Sequence, residues 1–204
     1  MKLFFHYCDY GFSNCYILGT EPPEEAGAVI IDPAVLDEPI LRFIENNNYK
    51  VRGVLVTHDH IKHVRGLRTL KRIYDAEIFA INPNIREHKT TMVRDGQIIN
   101  AGPFRIEVLS IPGHSSDSAV FRVDHLLFTG DSLSAGLVGR TASSYGTTIQ
   151  MMALRSKILS LPGDFTILPA HGPPSTLEAE RRYNAGIDSY DESRGRRPKF
   201  KLDL

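Results

Sequence analysis

Only two cysteines, Cys8 and Cys15, occur in 204 residues. Two are too few for a disulfide framework, and the plain reading is a pair of small residues in an N-terminal strand pair, with a bridge between them as the alternative. An excess of charge is missing too. The 24 basic residues balance the 24 acidic ones, so no global field points to nucleic acid or to an anionic membrane as a partner. No run approaches the ~20 apolar residues that span a bilayer. The first residues also lack the basic stretch and long apolar segment of an export signal, which predicts a cytoplasmic protein with reduced thiols. No repeat of fixed period and no low-complexity tract is present. At 22.8 kDa the chain can bury one substantial core. Residues 1–204 are therefore expected to form a single domain, with a locally basic tail from about residue 194. That tail reads as solvated, with contact to an anionic substrate or partner as the alternative.

What the chain does have is a dense cluster of histidine. Three of its eight histidines fall in Thr57-His58-Asp59-His60-Ile61-Lys62-His63. Val51, Val54, Leu55 and Val56 before them read as a buried strand, and Val64, Leu67, Leu70 and Ile73 after them recur at helical spacing. The cluster thus sits on a strand-to-helix turn, where rigid elements on both sides can aim several imidazoles at one point, as a metal site requires.

Along the chain, residues Lys2 to Tyr7 and Cys15 to Leu18 predict an N-terminal strand pair around a polar turn. Glu21 to Glu25 reads as a surface loop, and Ala28 to Ile31 as a strand closed by Asp32-Pro33. Asp37 is placed to cap a helix carrying Ile40, Leu41, Phe43 and Ile44. Residues Pro83 to Gly96 show no clean periodicity and read as a loop with a helical turn, with His88 on the surface. From Gln97 onward strands dominate: Ile98-Ile99, Phe104 to Val108, Ala119 to Val123 and Leu126 to Phe128. His114 and Asp131 each fall just beyond a strand. A long loop over Ser132 to Gly146 follows, then a helix with Leu154, Ile158 and Leu161 on one face. Thr166 to Leu168 forms the strand that delivers His171, and Ser175-Thr176-Leu177-Glu178 reads as a capping box. His6 and His125 read as ordinary strand or turn residues. Strands and helices alternate in two βαβ-containing halves, with helices outside.

These motifs resemble the metallo-β-lactamase-fold hydrolases, and within them the short glyoxalase II-like (hydroxyacylglutathione hydrolase-like) proteins. The family signature is T-H-x-H-x-D-H. Thr57, His58, His60 and His63 match it, while Lys62 stands at the aspartate. The resemblance runs on through Pro112-Gly113-His114-Ser115, Thr129-Gly130-Asp131-Ser132 and Pro169-Ala170-His171-Gly172-Pro173, so it covers nearly the whole chain. It implies an α/β fold, the four-layer αβ/βα sandwich of the metallo-β-lactamase type. It also implies two metals: His58, His60 and His114 for the first, His63 and His171 for the second, and Asp131 bridging. Asp32 would lie beneath them.

Lys62 offers an ammonium where the family has an anion, so the second metal is expected to be absent or weak, and one ion to be bound rather than two. Three imidazoles suit zinc, with iron or manganese as alternatives. Three readings of Lys62 compete: it pairs with Asp131 and polarises the substrate as a catalytic charge, it marks a lost catalyst, or it swings into solvent. The resemblance implies hydrolysis of a small-molecule thioester or related ester by metal-activated water. The glutathione-gripping C-terminal region of full-length glyoxalase II does not fit in this length. Tyr145, Arg140 and the loop from Ser132 to Gly146 are the expected substrate contacts. The alternatives are an inactive family member serving as a binding protein and a mononuclear-iron oxygenase like the persulfide dioxygenases.

Overall fold

Apolar residues on both faces of the second and third strands place one set of side chains under helices and the other against a second sheet. The computed structural model describes residues 1–21 and 26–193. Most of the 21–25 loop and the basic tail from 194 lie outside the described residues. Lys2–Cys8 (β1) and Ser13–Gly19 (β2) pair antiparallel, from Lys2 opposite Gly19 to Cys8 opposite Ser13, as the two apolar stretches predict. Gly27–Ile31 (β3) lies antiparallel to β2 and parallel to Lys50–Leu55 (β4). Glu38–Asn46 (α1) is the crossover between them. Its Asp37 cap accepts from the Ile40 amide, Pro39 lies in its first turn, and it buries Ile40 and Ile44.

After β4 the expected single helix is two short ones, Ile61–Val64 (α2) and Leu67–Ile73 (α3). Gly66 explains the break. Its amide donates to the Pro33 carbonyl rather than back along the helix, and a Cβ there would lie 2.4 Å from that same oxygen. The freed Lys62 carbonyl accepts from Ser13 Oγ. Val64, Leu67 and Leu70 are buried as expected, but Ile73 is exposed, because α3 ends there.

Glu77–Ala80 (β5) adds parallel to β4. The region read as a loop with a helical turn instead holds the hairpin Asn84–Ile85 (β6) and His88–Lys89 (β7), then Thr91–Met92 (β8), which joins β5. Strands of two residues carry no periodicity to detect. His88 is half-buried there rather than on the surface. The first sheet runs β1-β2-β3-β4-β5-β8.

The second half contributes Ile98–Ala101 (β9), Phe104–Ser110 (β10), Ala119–Val123 (β11) and Leu126–Gly130 (β12). The segment expected as one long loop contains the small hairpin Leu133–Ser134 (β13) and Leu137–Val138 (β14). Ser144–Leu154 (α4) then begins, two residues before the expected loop end, because Ser143 caps it. It runs on into a π-helical turn, Arg155–Leu159, so Leu161 lies beyond the helix. Thr166–Pro169 (β15) pairs parallel to β12, and Ser175–Thr176 (β16) pairs with β15. The capping box shifts by one residue: Thr176, not Ser175, caps Leu177–Tyr183 (α5), accepting from the Ala179 amide. Ala185–Ser193 (α6) follows. The second sheet runs β16-β15-β12-β11-β10-β9.

The result is helix, sheet, sheet, helix. Tyr16, Leu18, Val29 and Ile31 meet Val108, Phe121, Phe128 and Leu168 between the sheets. Ile17, Ile30 and Val54 face Ile40, Ile44, Leu67 and Leu70 on one outer side, and Val120, Leu127 and Ile167 face Met151, Leu154 and Ile158 on the other. Truncating a fully buried member such as Phe121 or Phe128 costs ~3–5 kcal/mol. Cys8 and Cys15 are buried free thiols.

Candidate metal centre

Every ligand candidate leaves the end of a strand. Thr57 and His58 follow β4, His60 lies in the turn, and His63 is on α2. His114 sits in the loop between β10 and β11, Asp131 directly follows β12, and His171 lies two residues past β15. Gly130 makes the last approach possible, since at its φ of +54° a Cβ would lie 2.6 Å from Thr57 Oγ1.

The six side chains converge. His58, His60, His114 and Asp131 each offer a ligand atom, all within 4.8 Å of one another, and His63, Asp131 and His171 form a second such group. Asp131 belongs to both: its Oδ2 lies 3.7 Å from His58 Nε2, 3.6 Å from His63 Nε2 and 3.3 Å from His114 Nε2, and its Oδ1 lies 3.6 Å from His171 Nε2.

Partners on the far side of each ring decide which nitrogen keeps its proton. His114 Nδ1–H donates to the Arg140 carbonyl at 2.7 Å and His171 Nδ1–H to the Phe12 carbonyl at 2.8 Å. A carbonyl only accepts, so in the neutral ring each bond keeps the proton on Nδ1 and turns the Nε2 lone pair toward the centre. Thr57 Oγ1–H donates to Asp32 Oδ2 and the Thr57 amide to Asp32 Oδ1. The Thr57 oxygen, 3.1 Å from His58 Nδ1, is thereby left to accept from His58. Asp32 thus supports His58 through Thr57 and lies 3.8 Å from His63 Nδ1.

Electrostatics favour the neutral imidazole at His58 and His60 and the charged one at His63. Burial, then the charge of His63, pushes the His58 imidazolium down to about 2, and burial with the charge of His114 lowers His60. Burial also lowers His63, but the neighbouring Asp131 and Asp32 outweigh it and raise its pKa. For Asp131 burial acts upward, yet the hydrogen bond and charge of His63, with the charges of His58 and His171, hold the carboxyl below its usual range. Asp131 Oδ1 and His63 Nδ1 are buried with no hydrogen-bond partner. Imidazoles held neutral at His58 and His60, beside an ionised carboxylate with an unpartnered buried oxygen, fit a divalent cation.

Two supporting residues escaped the sequence reading. Buried Asp117 accepts from the Asp59 amide and from Asn82 Nδ2, fixing the turn between His58 and His60. Buried Asn14 donates to the Pro169 and Gly172 carbonyls, fixing the loop of His171. Asp117 stands three residues after His114, a polar residue just before a strand, and that was its one signal.

Lys62 lies apart. It is exposed on α2 and its stem packs on Gly11; of the three readings of this residue, the ion pair with Asp131 is not formed among the described residues. A groove of about 260 Å³ opens on the centre, lined by His114, Asp131, Leu137, Val138, Arg140 and His171. Arg140 therefore sits where substrate contact was expected. Tyr145 is exposed outside this groove, on the first turn of α4.

The pattern of the metallo-beta-lactamase superfamily matches residues 8–186. The hydroxyacylglutathione hydrolase GloC of Haemophilus influenzae is 30% identical over 203 residues, covering 86% of this chain and 93% of its own. ETHE1 from Myxococcus xanthus shares the fold with a TM-score of 0.79 at 24% identity, over 91% of this chain and 84% of that one. The crystal structure of TTHA1623 in a di-iron-bound form gives a TM-score of 0.73 at 26% identity, over 89% and 98%. With a superfamily pattern spanning both sheets and six ligand candidates at the strand ends between them, this chain belongs to the metallo-β-lactamase superfamily.

Proposed function

We propose that the chain is a metal-dependent hydrolase of a thioester or related ester, using one ion held by His58, His60, His114 and Asp131. The observation that carries this reading is the convergence of three imidazoles and one carboxylate beside an open groove. Likeness to the hydroxyacylglutathione hydrolase of H. influenzae supports the thioester class. Three imidazoles and a carboxylate suit zinc, while iron, as in TTHA1623, and manganese accept the same donors. When bound, the ion supplies Lewis-acid polarisation of the carbonyl and lowers the pKa of water.

The rest falls to the chain's own residues. Leu137 and Val138 give the groove an apolar wall for the acyl carbons, and Arg140 sets a cation at its rim. With one ion in the first group of ligands, His171 is left beside Asp131. Its Nε2 faces Asp131 Oδ1 at 3.6 Å, so the neutral ring is placed to take the proton from a water that Asp131, held ionised, aligns. Lys62 provides three donors and no lone pair while protonated. Its charge acts on His63 and opposes a second cation there, so its role lies in metal stoichiometry.

Elemental analysis beside a panel of acyl thioesters, S-lactoylglutathione among them, tests the proposal. One ion per chain and hydrolysis that chelation abolishes and reloading restores are expected. A fully loaded protein that leaves every member of the panel intact overturns it.

A further inference from the structure

Ile61 and Val64 on α2, Arg65 at its C-terminus and Arg68 on α3 line one side of a cavity. Across from that side stands the β6–β7 hairpin, whose turn is Arg86-Glu87. Arg86 has φ +54°, a left-handed conformation that suits glycine or asparagine and costs other residues roughly 1–2 kcal/mol. The strained turn puts Arg86 Nε 3.0 Å from Asp59 Oδ1, the carboxylate standing between His58 and His60. The cavity between helices and hairpin has a volume of about 180 Å³ and is lined also by His88.

Three guanidinium groups thus surround one cavity, in a chain whose charges otherwise balance. Arg86 is engaged by Asp59. Arg65 stacks on the Tyr10 ring at 4.2 Å, which orients the fork without neutralising it. Arg68 makes no ion pair among the described residues. The one acid in the lining, Glu87, is exposed and lies 3.8 Å from His88. A planar fork matches a carboxylate or phosphate by two parallel hydrogen bonds. The cavity adjoins the metal loop through Ile61, the residue after His60, itself exposed.

We infer that this pocket binds an anionic group, carboxylate or phosphate, carried by the substrate away from its scissile bond. The word substrate rests on the hydrolase reading above; the pocket's affinity for an anion does not.

Calorimetric titration of the metal-loaded protein with inorganic phosphate and with malonate, at constant ionic strength, measures that affinity directly. Saturable one-to-one binding is expected, weakened about tenfold in Arg68→Gln and in Arg65→Gln, but not in Arg72→Gln, which removes the same charge from α3 outside the cavity. Absence of saturable binding, or an equal loss in Arg72→Gln, overturns the pocket. Acyl thioesters of N-acetylcysteamine, 3-mercaptopropionate and 4′-phosphopantetheine then test its use. The ratio of kcat/KM for the anionic to the neutral substrate is expected to fall about tenfold in Arg68→Gln, and whichever anion loses more identifies the handle. An unchanged ratio overturns the role in substrate recognition. If no thioester is turned over the hydrolase reading fails, and the anion titration still decides the pocket.

Discussion

His171 and Phe12 are 159 residues apart in sequence, and the His171 ring donates to the Phe12 carbonyl at 2.8 Å. A turn at the start of the chain therefore orients a ligand delivered near its end. Asn14 reinforces the link from the start of β2, with its amide bonded to Ala170 and its side chain to Pro169 and Gly172.

Replacing Asn14 by alanine removes its hydrogen bonds to the Pro169 and Gly172 carbonyls, the first of which still accepts from Tyr16 Oη. A loss of ~1–3 kcal/mol in urea unfolding is expected, together with weaker metal retention in a chelator competition. Unfolding midpoints equal to those of the unaltered protein would refute this account of the His171 loop.

Lys62→Asp replaces the cation next to His63 by a carboxylate. Metal content is expected to rise from about one ion per chain to about two under identical loading. Two ions in both proteins would show that the lysine leaves the second group of ligands open.

Asp32 is raised to about 6, chiefly by burial, against which Thr57 and His63 pull it down. In the metal-free protein the folded state therefore holds this proton more tightly than the unfolded chain. The stability it contributes is present below about pH 4 and lost as pH rises through about 6, an effect on the order of 3 kcal/mol. Subtracting the unfolding free energies of Asp32→Asn from those of the unaltered chain at pH 4 and pH 7 isolates it. A difference that does not move between the two pH values contradicts the assignment.

Gly66→Ala places a methyl 2.4 Å from the Pro33 carbonyl. The Asp32-Pro33 turn must shift, at ~1–3 kcal/mol. Because Asp32 supports Thr57 and through it His58, metal affinity is expected to fall roughly tenfold as well. Stability loss with unchanged affinity would separate the turn from the metal site.

The fold was legible where apolar residues recur over four or more positions. β1 to β5 and β9 to β12 carry such patterns, because each strand buries one or both faces. The hairpin of Asn84 to Lys89 and the pieces Leu133–Ser134 and Leu137–Val138 are too short to show a period. The break at Gly66 was hidden for a different reason: its cause, the Pro33 carbonyl, comes from another part of the chain. The ligand candidates were legible because histidines and one aspartate lie just past strand ends, and the structure brings all six together. Asp117 and Asn14 were not, since a buried polar residue declares itself only through partners distant in sequence. Lys62 stood out as a departure, but its direction, away from Asp131, was not readable from type alone.

The parallel pairing of β12 with β15, and the bridge from Phe12 and Asn14 to residues 169–172, give this chain contacts of very long sequence separation. Such topology slows folding, since large loops must close before these contacts form. His58 and His60 are neighbours in the open chain, but His114 and Asp131 join them only once both halves have docked, so the cation binds the finished fold more tightly than the open chain. Ion at a hundred times its Kd then adds at most about 2.7 kcal/mol to unfolding. That gain is expected to show as slower unfolding rather than faster folding.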